Sequence, residues 1–327
     1  MRNHLLTILV LCLSATLAQA ETPILRVYTY DSFTAEWGPG PIIETAFEAT
    51  CACDLQFVSS GDGAALLARV LLEGAGTDAD IVLGLDTNLT ATALASGLFA
   101  PHGVTATLDL PVAWSDDTFL PFDWGWFAFV GNAGGEMPAN FLELADSDLK
   151  IVIEDPRSST PGLGLLLWVK QVYGDQAADI WVKLADNIVT VTPGWSEAYG
   201  LFLEGEADLV LSYTTSPAYH LIAENDATKV ALAFDEGHYL QVEVAAKVAA
   251  TDVPDLANQF MAFIVSDAFQ SAIPTTNWMY PAVALTAGLP ARFDTLIQPE
   301  KSLLLSSSDA EALRDGAIEE WRSALSQ

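Results

Sequence analysis

Short apolar runs alternate with stretches of helical spacing along most of this chain, and polar turns mark the joins. Residues 24–30 alternate and are rich in β-forming side chains, which predicts a strand. Asp31-Ser32-Phe33 and the Gly38-Pro39-Gly40-Pro41 punctuation then lead into a helix over 42–49. The same rhythm predicts strands at 54–59 and 80–85 with helices at 64–73 and 91–96. Further along it predicts strands at 150–154, 187–192 and 207–212. Helices follow at 163–173 and 197–204, and a third opens at Tyr219. Strands alternating with helices form parallel βαβ units with right-handed crossovers. Their C-terminal ends share one edge, where open α/β sheets bind ligands.

Two longer runs break the rhythm. Residues 119–130 are aromatic throughout and 238–246 alternate, and each reads as a strand crossing between two lobes. The remainder is helical, at 254–265, 269–272 and 309–325. The last helix is expected to open with a capping box formed by Ser308 and Glu311.

Candidate chemistry collects just past the strand ends. Tyr30 closes the first strand and Trp37 follows it; Asp62 stands in the turn after the second. Ser159 lies in the 155–162 turn, Trp195 in Pro193-Gly194-Trp195-Ser196, Tyr213 and Tyr219 around the turn after residue 212, and Trp278 in the 274–281 loop. Bulky aromatics in such places are hard to bury as core. Aromatic faces attract flat organic cations, by about 0.5–2 kcal/mol per ring. A carboxylate such as Asp62 accepts hydrogen bonds from an amino group or a protonated ring nitrogen. The arrangement predicts a hinged trap for a positively charged heteroaromatic molecule. In the 155–162 turn, hydroxyls and free N–H groups beside Arg157 form either an anion cradle or a plain capped helix start.

Composition sharpens this picture. The charged start, the apolar run 5–13 and the Ala18-Gln19-Ala20 end predict a secretory signal peptide over 1–20 that takes Cys12 with it. Its apolar run is too short to cross a bilayer. Forty-three acidic residues face thirteen basic ones, a formal net charge of -30, so nucleic acid and anionic membrane surfaces are poor partners. Cys51 and Cys53 fall at a helix end before a strand, hence on the edge opposite the ligand. Their spacing leaves both a bridge and free thiols open. One such pair and the scattered His102, His220 and His238 do not make a metal site, and none is expected.

The chain resembles the periplasmic thiamine-binding proteins of bacterial ABC importers over nearly its whole length. The resemblance runs through Val27-Tyr28-Thr29-Tyr30-Asp31-Ser32-Phe33, Trp37-Gly38-Pro39-Gly40-Pro41, Ser159-Thr160-Pro161-Gly162-Leu163-Gly164, Gly194-Trp195-Ser196-Glu197-Ala198-Tyr199, the 209–220 segment and Asn277-Trp278-Met279-Tyr280-Pro281. It implies an α/β, two-lobe (type II) periplasmic binding protein fold hinged by two crossover strands. Residues 21–122 with 245–327 would form one lobe and 123–244 the other. It further implies binding of thiamine or its mono- and diphosphate, delivery to a membrane permease, a monomer, no cofactor and no catalytic residue. By matching motifs Asp62 would hold the aminopyrimidine, and Tyr30, Trp37, Tyr219 and Trp278 would surround the rings. Ser159, Trp195 and Tyr213 would line the phosphate or hydroxyethyl end. Two rivals share the fold: a binder of ferric ion or another organic cation, and a thiamine-degrading transferase, which needs a cleft cysteine thiolate.

Overall fold

The computed structural model describes residues 22–326, and the expected signal peptide lies outside them. The chain begins β1 (Ile24–Thr29), a single turn α1 (Asp31–Thr34), α2 (Gly40–Cys51), β2 (Asp54–Ser59), α3 (Gly63–Glu73), β3 (Ile81–Asp86), α4 (Thr90–Ala95) and β4 (Phe99–Ala100). Strands β1, β2 and β3 are parallel, with β1 in the middle. All six residues of β3 are buried, as a strand covered on both faces requires.

The long strand β5 (Phe119–Asn132) leaves this lobe. Then follow α5 (Phe141–Asp146), β6 (Ile151–Glu154), α6 (Thr160–Tyr173), α7 (Ala177–Leu184), β7 (Ile188–Thr192), α8 (Trp195–Leu203), β8 (Leu209–Tyr213), α9 (Pro217–Tyr219) and β9 (Lys229–Ala231). Strand β6 lies between β7 and β8 and runs parallel to both. Helix α6 is buried at every position from Thr160 to Val169. Being apolar all round, it sits inside the lobe rather than on its surface.

Strand β10 (His238–Val248) brings the chain back. After it come α10 (Pro254–Ile264), α11 (Asp267–Gln270), β11 (Tyr280–Pro281), β12 (Ser302–Leu303) and α12 (Ser307–Leu325). The main strands form one path, β2-β1-β3-β10-β5-β8-β6-β7. Residues 119–126 of β5 pair with β10, and residues 127–131 pair with β8. The two crossing strands therefore run side by side between two parallel three-stranded groups, each antiparallel to its neighbours. This is the expected α/β two-lobe architecture with its two crossovers.

Two details differ from expectation. The α12 cap is Ser306, whose hydroxyl accepts from Asp309 N and donates to Asp309 Oδ2 at 2.6 Å, so the cap sits two residues early. Three consecutive serines offer alternative starts, and Glu311 instead accepts from Thr92. Chain order groups 245–327 with the first lobe, yet α12 packs on α6 and α7 of the second lobe as well as on α4. Lys170 Nζ of α6 meets Glu320 of α12 at 2.8 Å.

Candidate functional site

The C-terminal ends of the parallel strands of both lobes open onto one cavity of about 530 Å³. Of the eight residues singled out by sequence, Tyr30, Trp37, Asp62, Trp195, Tyr213, Tyr219 and Trp278 line it. Ser159 does not. It is fully buried behind Asp62 and donates its hydroxyl to Asp62 Oδ2 at 2.7 Å.

Asp62, at the start of α3, joins the lobes. The same Oδ2 accepts from Trp195 N at the start of α8, at 3.0 Å. Next to it Gly63 N donates to Thr160 Oγ1 at 3.2 Å and Ala65 N to Ser158 O at 3.0 Å. Burial pushes the Asp62 carboxyl up to about 6, against the pull of the Ser159 and Trp195 hydrogen bonds. The anion that the α6 start receives is thus the protein's own Asp62. Arg157 points elsewhere, pairing with Asp155.

Aromatic rings from both lobes form the walls. The Trp37 and Trp195 centroids are 6.3 Å apart across the cleft, and Trp195 stacks on Tyr199 at 5.0 Å. Trp195 is held by its Nε1–H, which donates to Ser212 Oγ at 2.8 Å. Farther along, Tyr219 meets Trp278 edge-on at 5.4 Å. Trp37 remains 54% exposed, so it stands at the mouth. Trp278 takes a left-handed backbone, φ 58°, at the end of a π-turn over Ile273–Asn277. That conformation is uncommon for a bulky residue and is the kind of strain found at binding sites.

The floor is acidic. Tyr30 Oη donates to Glu243 Oε2 at 2.9 Å, and Asn277 Nδ2 reaches Tyr30 Oη at 2.9 Å and Asp123 Oδ2 at 2.6 Å. Glu243 and Asp123 belong to the two crossing strands and face each other in the ladder. Burial, then the adjacent Asp123 charge, raises the Glu243 carboxyl well above the usual range; burial raises Asp123 to about 7. No Lys, Arg or His is among the residues lining the cavity.

Sequence reading missed Glu243, Asn277, Tyr199, Thr160 and Ser216. Two of them carried a signal: Tyr199 follows Trp195 by one helical turn, and Glu243 is an acidic residue in the middle of a strand otherwise apolar apart from His238, Gln241 and Lys247. The cysteines lie where the topology placed them, at the α2–β2 join on the opposite edge, and are bonded to each other. His220, Glu224 and Asp226 come close enough to share an ion, but both His220 ring nitrogens already have partners, Tyr199 Oη at 2.9 Å and Glu224 at 2.7 Å.

Residues 40–271 match the model of the bacterial extracellular solute-binding protein family. The chain is 52% identical to the thiamine-binding periplasmic protein of Escherichia coli strain K12, over 100% of both chains. It is 45% identical to the protein of the same name from Haemophilus influenzae, over 88% of each. A solved periplasmic thiamin binding protein superposes with a TM-score of 0.91 at 53% identity, covering 94% of this chain and 97% of that one. Iron-bound HitA from Pseudomonas aeruginosa shares the fold, with a TM-score of 0.74 at 20% identity over 92% of this chain and 99% of that one.

Proposed function

The chain belongs to the bacterial extracellular solute-binding proteins, among the thiamine-binding periplasmic proteins, and on that premise we propose that it captures thiamine in the interlobe cleft and hands it unchanged to an ABC permease. It acts in the periplasm after loss of the signal peptide, as a monomer, and takes the phosphate esters as well as thiamine.

The observation that carries this reading is the cavity in which an acidic residue bridges the lobes and rings from both lobes form the walls. Asp62 Oδ2 is taken by the protein, which leaves the other oxygen for an exocyclic amine. The aromatic walls suit two flat rings, one of them cationic. With no cation in the lining, a phosphate would rest on hydroxyl and backbone donors around Trp195, Ser196 and Ser216. Closure of the lobes around the ligand would then mark the loaded form for the permease.

The rival readings fit less well. No cysteine lines the cavity, and Cys51 and Cys53 are tied together at the far edge, so the thiolate of a thiamine-degrading transferase has no source there. A ferric site of this kind would need neighbouring free phenolic oxygens, but Tyr30 and Tyr219 donate to carboxylates and Tyr199 pairs with His220, which leaves Tyr213 alone, followed by Thr214.

Calorimetric titration of ligand-stripped protein with thiamine, thiamine monophosphate and thiamine diphosphate tests the proposal. One-to-one binding is expected, with thiamine recovered intact even beside a nucleophilic amine. Trp195→Ala and Asp62→Ala should each weaken binding roughly tenfold or more, about 1.4 kcal/mol, without preventing folding. Unchanged affinity in both variants would remove the cleft as the site.

A further inference from the structure

Three buried carboxyl groups stand in a row across neighbouring strands. Glu243 of β10 is paired in register with Asp86 of β3 on one side and with Asp123 of β5 on the other. Directly opposed residues of an antiparallel ladder project to the same face, and like charges so placed repel. Asp86 is provided for, accepting from Asn88 Nδ2 at 2.7 Å and from Asn88 N at 3.2 Å. The other two are less well matched. Glu243 takes hydrogen bonds from Tyr30 and Gln241, while Asp123 Oδ1 is buried without an N–H or O–H donor among the described residues. A hydrogen held on Glu243 is what remains to reach it.

The pairing also slips here. The β5–β10 register shifts between Glu243 and Val244, and the β3–β10 register shifts between Val244 and Ala245. Such irregularities re-aim a side chain. Of the three acids, only Glu243 lines the cavity.

We propose that Glu243, backed by Asp123, is the counter-charge for the permanently cationic ring of the ligand, and that the proton shared by the pair passes to solvent when that ring binds. The proposal rests on the thiamine reading above and assigns a second, separate role beside Asp62, which serves the amino group. The titratable groups facing Glu243 are Asp123 from β5, Asp86 from β3, Tyr30 after β1 and Tyr213 from β8, and all are acidic or neutral. An arriving cation is therefore the sole positive partner available within the cavity. Burial and the adjacent Asp123 hold the Glu243 carboxyl up, and burial raises Asp123 to about 7, so the pair retains a proton as the pH approaches neutrality. Cation and proton compete, so affinity for the charged ring rises as pH rises through the neutral range.

The test compares thiamine with 3-deazathiamine, an uncharged isostere that keeps the aminopyrimidine. Each is titrated into the whole mature protein near pH 5.5 and near pH 8, in buffers of different ionisation heat, so that released protons are counted. Thiamine should release more protons than the neutral ligand, and its affinity advantage should widen by about tenfold between the two pH values. Glu243→Gln should abolish the extra proton release and collapse the advantage of thiamine over 3-deazathiamine at both pH values. Equal proton release by both ligands, or an advantage that does not change with pH, would overturn the proposal even if the variant fails to fold. Failure of both ligands to bind would overturn the thiamine reading itself, and this proposal with it.

Discussion

Gly84 is the residue on which the shape of the floor turns. It holds φ at +107°, and a Cβ there would stand 2.2 Å from the Tyr30 ring. It is also the position that β3 skips in pairing with β10, where Val244 faces Leu85 and Ala245 faces Leu83. Only a residue without a side chain allows both the left-handed backbone and the close approach. Gly84→Ala should therefore cost on the order of 2 kcal/mol in stability and weaken thiamine binding, because Tyr30 must move away from Glu243. Thermal denaturation and calorimetry on the same sample would check both effects; normal affinity at reduced stability would show that Tyr30 can shift without disturbing the site.

At the scale of elements, the join between α2 and β2 separates what staples the lobe from what binds the ligand. Ala52 takes a left-handed conformation, φ 51°, and the Cys51–Cys53 bridge closes the turn around it. A loop this small restrains the unfolded chain by only about 1–2 kcal/mol. Replacing both cysteines by serine should lower the melting temperature by a few degrees and leave thiamine affinity unchanged. A large affinity loss would mean that the two edges of the lobe are mechanically coupled. The helix starts α3, α6 and α8 behave differently, for they converge on one carboxyl, Asp62, whose hydrogen bonds tie three elements across the cleft.

For the whole molecule, the unusual property is a set of buried carboxyls with no buried Lys or Arg among the described residues. Asp62 is raised to about 6, Asp86 and Asp123 to about 7, and Glu154 and Glu243 well above the ordinary range, all chiefly by burial. The folded state keeps protons that the unfolded chain releases near pH 4. Their stabilising contribution is full below that point, and for Asp62, Asp86 and Asp123 it is lost as pH rises through 6 to 7. Surface carboxyls with depressed values, such as Glu224 and Asp226, act in the opposite sense but are exposed and screened. The formal charge of -30 adds self-repulsion that also grows with pH. Unliganded protein should thus melt higher near pH 5 than near pH 8, by on the order of 5 °C, and saturating thiamine should narrow the gap. A melting temperature that climbs steadily from pH 5 to pH 8 would contradict this account.

The alternation of apolar runs and helical spacing was enough to read the βαβ order, both crossing strands and the edge on which the cavity opens. These follow from local periodicity and the handedness of crossovers. Seven of the eight singled-out residues share the cavity because that edge is a topological consequence of parallel strands. Only the tertiary structure decided which side chains face one another across strands and lobes. Asp62 as the bridge between lobes, Ser159 behind it rather than in the lining, and Glu243 opposed to Asp123 and Asp86 all depend on register. Register is set by bulges and by the packing of distant segments, and the periodicity of a single strand carries no record of it.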